Sequence, residues 1–184
     1  MLTSRQTDLD GLIEVTRTKV EDDRGRFARL FDQQALLAVG WHWPVAHINL
    51  SETRHRGTVR GFHYQVPPTA EAKLVTCVRG TIWDVAVDIR KGSPTFLQTC
   101  ARSLCGDDLN SMLIPPGFAH GFQTTSDEVT VVYIHSEGHS PGDERGIDAA
   151  DELIGVTWPL PVARRSDRDR SFPPLDARFA GVTL

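Results

Sequence analysis

Thr81-Ile82-Trp83-Asp84-Val85-Ala86-Val87-Asp88-Ile89, TIWDVAVDI, is the stretch that decides the fold class. Trp83, Val85, Val87 and Ile89 fall at every second position, the period of a strand with a buried face. Just upstream, KLVTCV (Lys73 to Val78) is a second strand candidate, and Arg79-Gly80 between the two predicts a hairpin turn. The pattern continues through HINLSE, GTVRGFHYQ, TFLQTCARS, SMLIPP, AHGFQTTS and VTVVYIHSE, from about residue 46 to about residue 137. Many short strands punctuated by Gly and Pro predict a sandwich or a barrel.

Helical stretches are few. FDQQALLAVG (Phe31 to Gly40) predicts two to three turns ending at Gly40, and DAADELIG (Asp148 to Gly155) a shorter helix. The tail from Pro159, rich in Pro, Arg and Asp, reads as coil with at most one turn. A length of 184 residues suits one domain with a real core. We divide it into an arm (about residues 1–45), a barrel (about 46–140) and a C-terminal segment (about 141–184).

The formal net charge of −4 gives no general reason to expect nucleic acid or an anionic membrane as partner. Cys77, Cys100 and Cys105 are odd in number and lack CxxC spacing, which fits reduced thiols better than a disulfide framework. The N-terminus, MLTSRQTDLDG, lacks the apolar core of a signal peptide, and no stretch approaches the length of a membrane span. A cytoplasmic location is the expectation.

Two of the seven histidines stand out. His63 lies in the strand candidate RGFHYQ beside Arg60, and His120 closes IPPGFAH. By themselves these residues leave three readings open: metal ligand, packed side chain, or base. Pro115, Gly117 and His120 form P-x-G-x-x-H, which resembles the second motif of the cupin superfamily, a jelly-roll barrel with a ligand inside. Metal-binding cupins carry H-x-H and then Glu in their first motif. Here His63 is followed by Gln65, and Lys73 stands where a carboxylate is wanted. An ammonium repels a divalent ion, so a metal loses most of its support, and no cofactor is expected. A base beside cations suits proton abstraction next to a carbonyl, where charge moves onto oxygen. G-x-S-x-G and Gly-rich phosphate-loop motifs are absent from the sequence.

Four segments in order carry a more specific resemblance: DDRGRFARLF (Asp22 to Phe31), Gly57 to Phe96, LIPPGFAHGFQTTSDEVTVVY (Leu113 to Tyr133) and SDRDR (Ser166 to Arg170). They resemble the dTDP-4-dehydrorhamnose 3,5-epimerase family. The resemblance implies an all-β, cupin-like jelly-roll barrel with an N-terminal arm and a few short helices. Its implied substrate is a nucleotide-linked 4-keto-6-deoxyhexose, inverted at C3 and C5 through an enolate. His63 is then the base, Asp169 its backing carboxylate, and Lys73 the enolate-stabilising cation helped by His120. Tyr133 is the opposing acid; Tyr64, the other of two tyrosines, alternates with His63 and should face away. Substrate contacts are implied for Arg24, Phe27 and Arg29 on the arm, and for His47, Asn49, Arg60, His120, His139, Glu144 and Arg168. The arm commonly crosses to a neighbouring subunit, implying a homodimer.

Each assignment has a plainer reading. Arg24 is equally a turn residue paired with a carboxylate, Tyr133 equally strand filler, and RRSDRDR equally a solvated surface segment. The chain also departs from the family's pattern. Arg29 replaces a frequent carboxylate, His47 replaces Gln, and Gly138-His139 replaces a tyrosine pair. The alternatives are a mono-epimerase acting at C3 or C5, a non-catalytic sugar-binding cupin, or a metal-dependent cupin enzyme.

Overall fold

The computed structural model describes residues 2–184. Thirteen strands and two short helices follow one another among these residues. The strands are β1 (Leu2–Gln6), β2 (Ile13–Arg17), β3 (Val20–Asp22), β4 (Gly25–Phe27), β5 (His47–Thr53), β6 (Val59–Gln65) and β7 (Lys73–Arg79). They continue as β8 (Thr81–Asp88), β9 (Thr99–Cys105), β10 (Ser111–Ile114), β11 (Phe118–Thr124), β12 (Val129–His135) and β13 (Glu144–Gly146). The helices are α1 (Gln33–Leu37) and α2 (Asp167–Ser171). A six-stranded sheet in the order β1-β2-β10-β7-β12-β5 faces a five-stranded sheet in the order β13-β6-β11-β8-β9. All pairings within both sheets are antiparallel. This is the expected all-β jelly roll.

The core between the sheets joins Val75, Cys77, Met112, Ile114, Val129 and Val131 to Ile82, Ala86, Leu104, Phe118 and Phe122. The face of β8 read from the sequence points the other way. Val85, Val87 and Ile89 pack outward with Phe62, Tyr64, Ile147 and Val182, and Trp83 joins them, under the C-terminal segment. The outer face of the larger sheet is covered in turn by Leu36 and Trp41 against Ile13, Leu74 and Ile134. Each such aliphatic or aromatic side chain contributes about 1.5–3 kcal/mol when fully buried.

Four expectations need correction. Arg79-Gly80 does not close a hairpin: β7 and β8 belong to different sheets, and Gly80 carries the chain across between them. Both strands are apolar on both faces, so alternation could not say which neighbours they take. Residues 2–17, read as part of the arm, supply two strands of the larger sheet. The helix expected over Phe31–Gly40 is only five residues long, started by the Asp32 side chain, which accepts from the Ala35 N–H. The segment Asp148–Gly155 is a series of turns. There the Asp148 carboxylate accepts from the Ala150 N–H, and that of Asp151 from Leu153 and Ile154, in competition with helical bonding.

Candidate active site

A cavity of about 810 Å³ opens between the sheets. On one wall β5, β7 and β12 lie side by side, with Tyr133 opposite Asn49, and His135 opposite both His47 and Lys73. The other wall is β6 and β11, where His63 pairs with His120. Arg60 and His63 both reach the cavity although three positions separate them. In a regular strand that offset would put them on opposite faces. A register shift resolves this: Arg60 pairs with Phe122 and His63 with His120, so Gly61 and Phe62 together oppose Gly121. Gly61 has φ +114, and a Cβ there would lie 2.6 Å from the Gly121 Cα and 2.7 Å from the His120 carbonyl oxygen. Only glycine permits that approach.

The ring Nε2 of His63 lies 2.8 Å from Asp169 Oδ1. Asp169 is buried against the middle of β6 by helix α2, whose N-cap Ser166 accepts from the Asp169 N–H. Burial works to raise the Asp169 carboxyl, but hydrogen bonds and the charge of His63, with the Gly61 N–H, hold it below the usual carboxylate range. On the same sheet, Nε2 of His120 is 2.7 Å from Asp84 Oδ1 on neighbouring strand β8, both groups buried. Lys73 lies 3.1 Å from Glu71 Oε1, and its Nζ is 3.4 Å from the His63 carbonyl oxygen. The Tyr133 ring stands edge-on to His120 with centroids 6.1 Å apart. Burial, reinforced by the Asp84 charge, pushes the Tyr133 phenol far above its ordinary value, so it remains a proton donor. Tyr64 faces outward into the C-terminal cluster.

At the rim, Glu144 binds both His139, at 2.8 Å, and Arg168, at 2.6 Å. Arg60 donates to Thr53 Oγ1 and to the Glu52 carbonyl. Gln65, in place of a second motif histidine, donates to the Thr69 and Gly138 carbonyls and accepts from the Ser140 N–H. It is a clamp on the 138–140 loop. Among the described residues, no group of three or more His, Cys, Asp or Glu side chains converges as a metal site.

This constellation of imidazoles, carboxylates, one lysine and one tyrosine sits in a chain whose residues 6–177 match the sequence profile of dTDP-4-dehydrorhamnose 3,5-epimerase. The chain belongs to that family. A dTDP-4-dehydrorhamnose 3,5-epimerase of Shigella flexneri is 42% identical over 149 residues, covering 80% of this chain and 82% of the relative. A dTDP-4-dehydrorhamnose 3-epimerase of Streptomyces niveus is 36% identical over 182 residues, 97% of this chain and 86% of the relative. The crystal structure of the Bacillus anthracis 3,5-epimerase with TDP and PPi bound superimposes with a TM-score of 0.91 at 33% identity, covering 95% of this chain and all of that one.

Within this epimerase, the cavity gathers His63, Asp169, Lys73, Tyr133, His47, Asn49, Arg60, His120, His139, Glu144 and Arg168. Arg24, Phe27 and Arg29 do not line it. Arg24 is ion-paired with Asp22, Arg29 with Asp32, and Phe27 is 69% exposed on the β3–β4 hairpin. Sequence reasoning missed Glu71 and His135, which join through His135 Nδ1 and Glu71 Oε2 at 2.7 Å. His135 follows Tyr133 by two positions on the same strand, and that spacing was the available signal.

Proposed function

We propose that the protein inverts C3 and C5 of a dTDP-linked 4-keto-6-deoxyhexose. The observation that carries this reading is the His63–Asp169 dyad on one wall of the cavity with the partly buried Tyr133 on the other. The ketone acidifies its neighbouring C–H bonds. His63 takes such a proton, and Asp169 fixes the tautomer and stabilises the imidazolium that forms. The electron pair moves onto the C4 oxygen, where the Lys73 ammonium and His120 offset the new charge. Tyr133 then returns a proton to the opposite face, which inverts the centre.

The decisive experiment is incubation with dTDP-4-keto-6-deoxyglucose in deuterated water. Label at both C3 and C5 is the expected result, and label at neither overturns it. Kinship with the Streptomyces niveus 3-epimerase gives a second reading, inversion at one carbon; label at C3 alone would select it.

The exposed β3–β4 hairpin, with Val20 64% and Phe27 69% exposed, supports a homodimer in which each arm carries Arg24, Phe27 and Arg29 to the partner's cavity. Sedimentation of the intact protein and of a Phe27→Ser variant tests that assembly; a wild-type monomer overturns it. The three cysteines are free thiols, which supports the expected cytoplasmic location. Among the described residues, no helix is long and apolar enough to cross a membrane.

A further inference from the structure

Ala70-Glu71-Ala72-Lys73 leads the chain into β7, with its two charges two positions apart. In an extended chain that spacing puts both on one face. Glu71 and Lys73 line the cavity, while Ala72 between them is buried in the cluster on the outer face of the larger sheet. The backbone between the charges is tied to the residue that follows β12. Ser136 Oγ accepts from the Ala72 N–H at 2.7 Å, and the Ser136 N–H donates to the Ala72 carbonyl at 3.1 Å. Glu71 therefore projects from a pinned stretch of chain.

Both side chains are almost out of solvent, that of Lys73 9% and that of Glu71 8% exposed. The two carboxylate oxygens have separate partners. Oε1 lies 3.1 Å from Lys73 Nζ, and Oε2 lies 2.7 Å from His135 Nδ1. The His135 ring is itself packed on two others, His47 at 4.4 Å and Tyr133 at 5.9 Å between centroids. Burial works to raise the Glu71 carboxyl, but hydrogen bonds and charges from His135 and Lys73 bring it down to about 2. A carboxylate that low is an anion throughout the neutral range.

A lysine ammonium has three N–H donors and no acceptor. One Lys73 donor is taken by Glu71, and a second points to the His63 carbonyl oxygen, 3.4 Å away on the opposite wall. With two donors anchored, the third is left for an oxygen in the cavity. The titratable groups that face Lys73 across that space are Tyr133 and His135 on β12, His63 with Asp169 on the β6 side, and His120 on β11. Asp169 is engaged by His63. Among the described residues, the carboxylate within ion-pair reach of Lys73 is thus Glu71. Without it the ammonium would stand alone in a buried site, where loss of solvent favours the neutral amine.

We propose that Glu71 is a positioning residue for Lys73, holding the ammonium charged and aimed into the cavity while His135 steadies the carboxylate from its other side. This rests on the reading that Lys73 offsets the enolate charge. Neutralising Glu71 then weakens a contact made only after the proton has left carbon, so the loss falls on kcat rather than on KM. It also deepens as pH rises, because the unpaired amine gives up its proton earlier.

The chain has three lysines, Lys19, Lys73 and Lys91, so magnetic resonance of the intact protein carrying isotope-labelled lysine can follow each one. The signal lost in Lys73→Arg is that of Lys73. In Glu71→Gln it should titrate below its wild-type position by about 1 to 3 pH units. Deuterium exchange into the 4-keto sugar should fail at a pH lowered by the same interval. Glu71→Asp keeps the charge and should return both toward wild type. An unshifted Lys73 signal in Glu71→Gln, an exchange limit that does not follow the shift, or a Glu71→Asp variant as far displaced as Glu71→Gln would each overturn the assignment. A shifted Lys73 signal with no exchange by the wild type sinks the epimerase reading and leaves the hold of Glu71 on Lys73 standing.

Discussion

Asp169 Oδ1 lies 2.8 Å from Nε2 of His63, although 106 positions separate the two residues in the chain. The contact depends on a second one: Asp169 Oδ2 accepts the Gly61 N–H at 3.3 Å, so the carboxylate is docked on the strand that carries the histidine. Short helix α2 holds it there, and Arg165 donates to its backbone carbonyl. The C-terminal segment therefore contributes a buried carboxylate to the cavity wall as well as the cover of the outer sheet face.

Asp169→Asn keeps the size of the side chain and removes its charge. Turnover is expected to fall by roughly 10²- to 10⁴-fold, the usual contribution of a positioned base. The thermal midpoint should stay within about 4 °C, because the N-cap bond to Ser166 uses only the backbone. Steady-state kinetics beside a melting curve checks both, and wild-type turnover in this variant would remove Asp169 from the mechanism.

Tyr133→Phe separates the two proton transfers. The variant should still exchange deuterium at the carbon facing His63 while inverting it poorly; full inversion would dismiss Tyr133 as the acid. Absorbance offers an independent check. Burial raises both tyrosines, Tyr64 and Tyr133, above the ordinary phenol value of about 10. Titration of the native protein to that pH should therefore show little phenolate near 295 nm, and a full tyrosinate signal by then would contradict the burial of both rings.

The strands between residues 47 and 135 were legible because alternation and turn residues are local. Their neighbours were not, since strands such as β7 and β8 bury both faces and look alike to either sheet. Strand β1, LTSRQ, is largely exposed and carries no apolar alternation, so nothing in it announced a strand. The site shows the same division. His63 and His120 could be singled out by their own motifs, whereas Asp169 sits in a run of charges and needed the family resemblance. His135 could have been marked by its two-residue spacing from Tyr133, whereas Glu71 became visible only when a pair 64 positions apart closed to hydrogen-bond distance.

Gly61 is where the bulge and the dyad meet. Gly61→Ala would drive a methyl group into the β11 backbone at a φ that L-residues rarely adopt. A loss of roughly 1–3 kcal/mol in unfolding free energy is expected from the backbone conformation alone. Turnover should fall further than stability does, because displacing β6 moves both His63 and the N–H that docks Asp169. Denaturant unfolding and kinetics on the same preparation decide this; a stable, fully active variant would show that the bulge tolerates a side chain.

Away from the cavity, Asp88 sets an acid limit on stability. Its side chain is buried, and burial works to raise its pKa; hydrogen bonds from Arg90, Ser93 and Thr95 overcome this and bring it to about 2. An unfolded aspartate titrates near 3.9. A depressed carboxylate stabilises the fold above the unfolded value, and that stability is lost as pH falls through the folded one. The contribution is roughly 2 kcal/mol at pH 7 and about half of that at pH 3. Asp88→Asn should therefore be less stable than wild type by about this amount at pH 7, with the gap narrowing toward pH 2. Urea unfolding of both proteins at pH 7 and pH 3 measures it. A gap that is the same at both values would mean that the side chain acts through its bonds from Ser93 and Thr95 and not through the Asp88 charge.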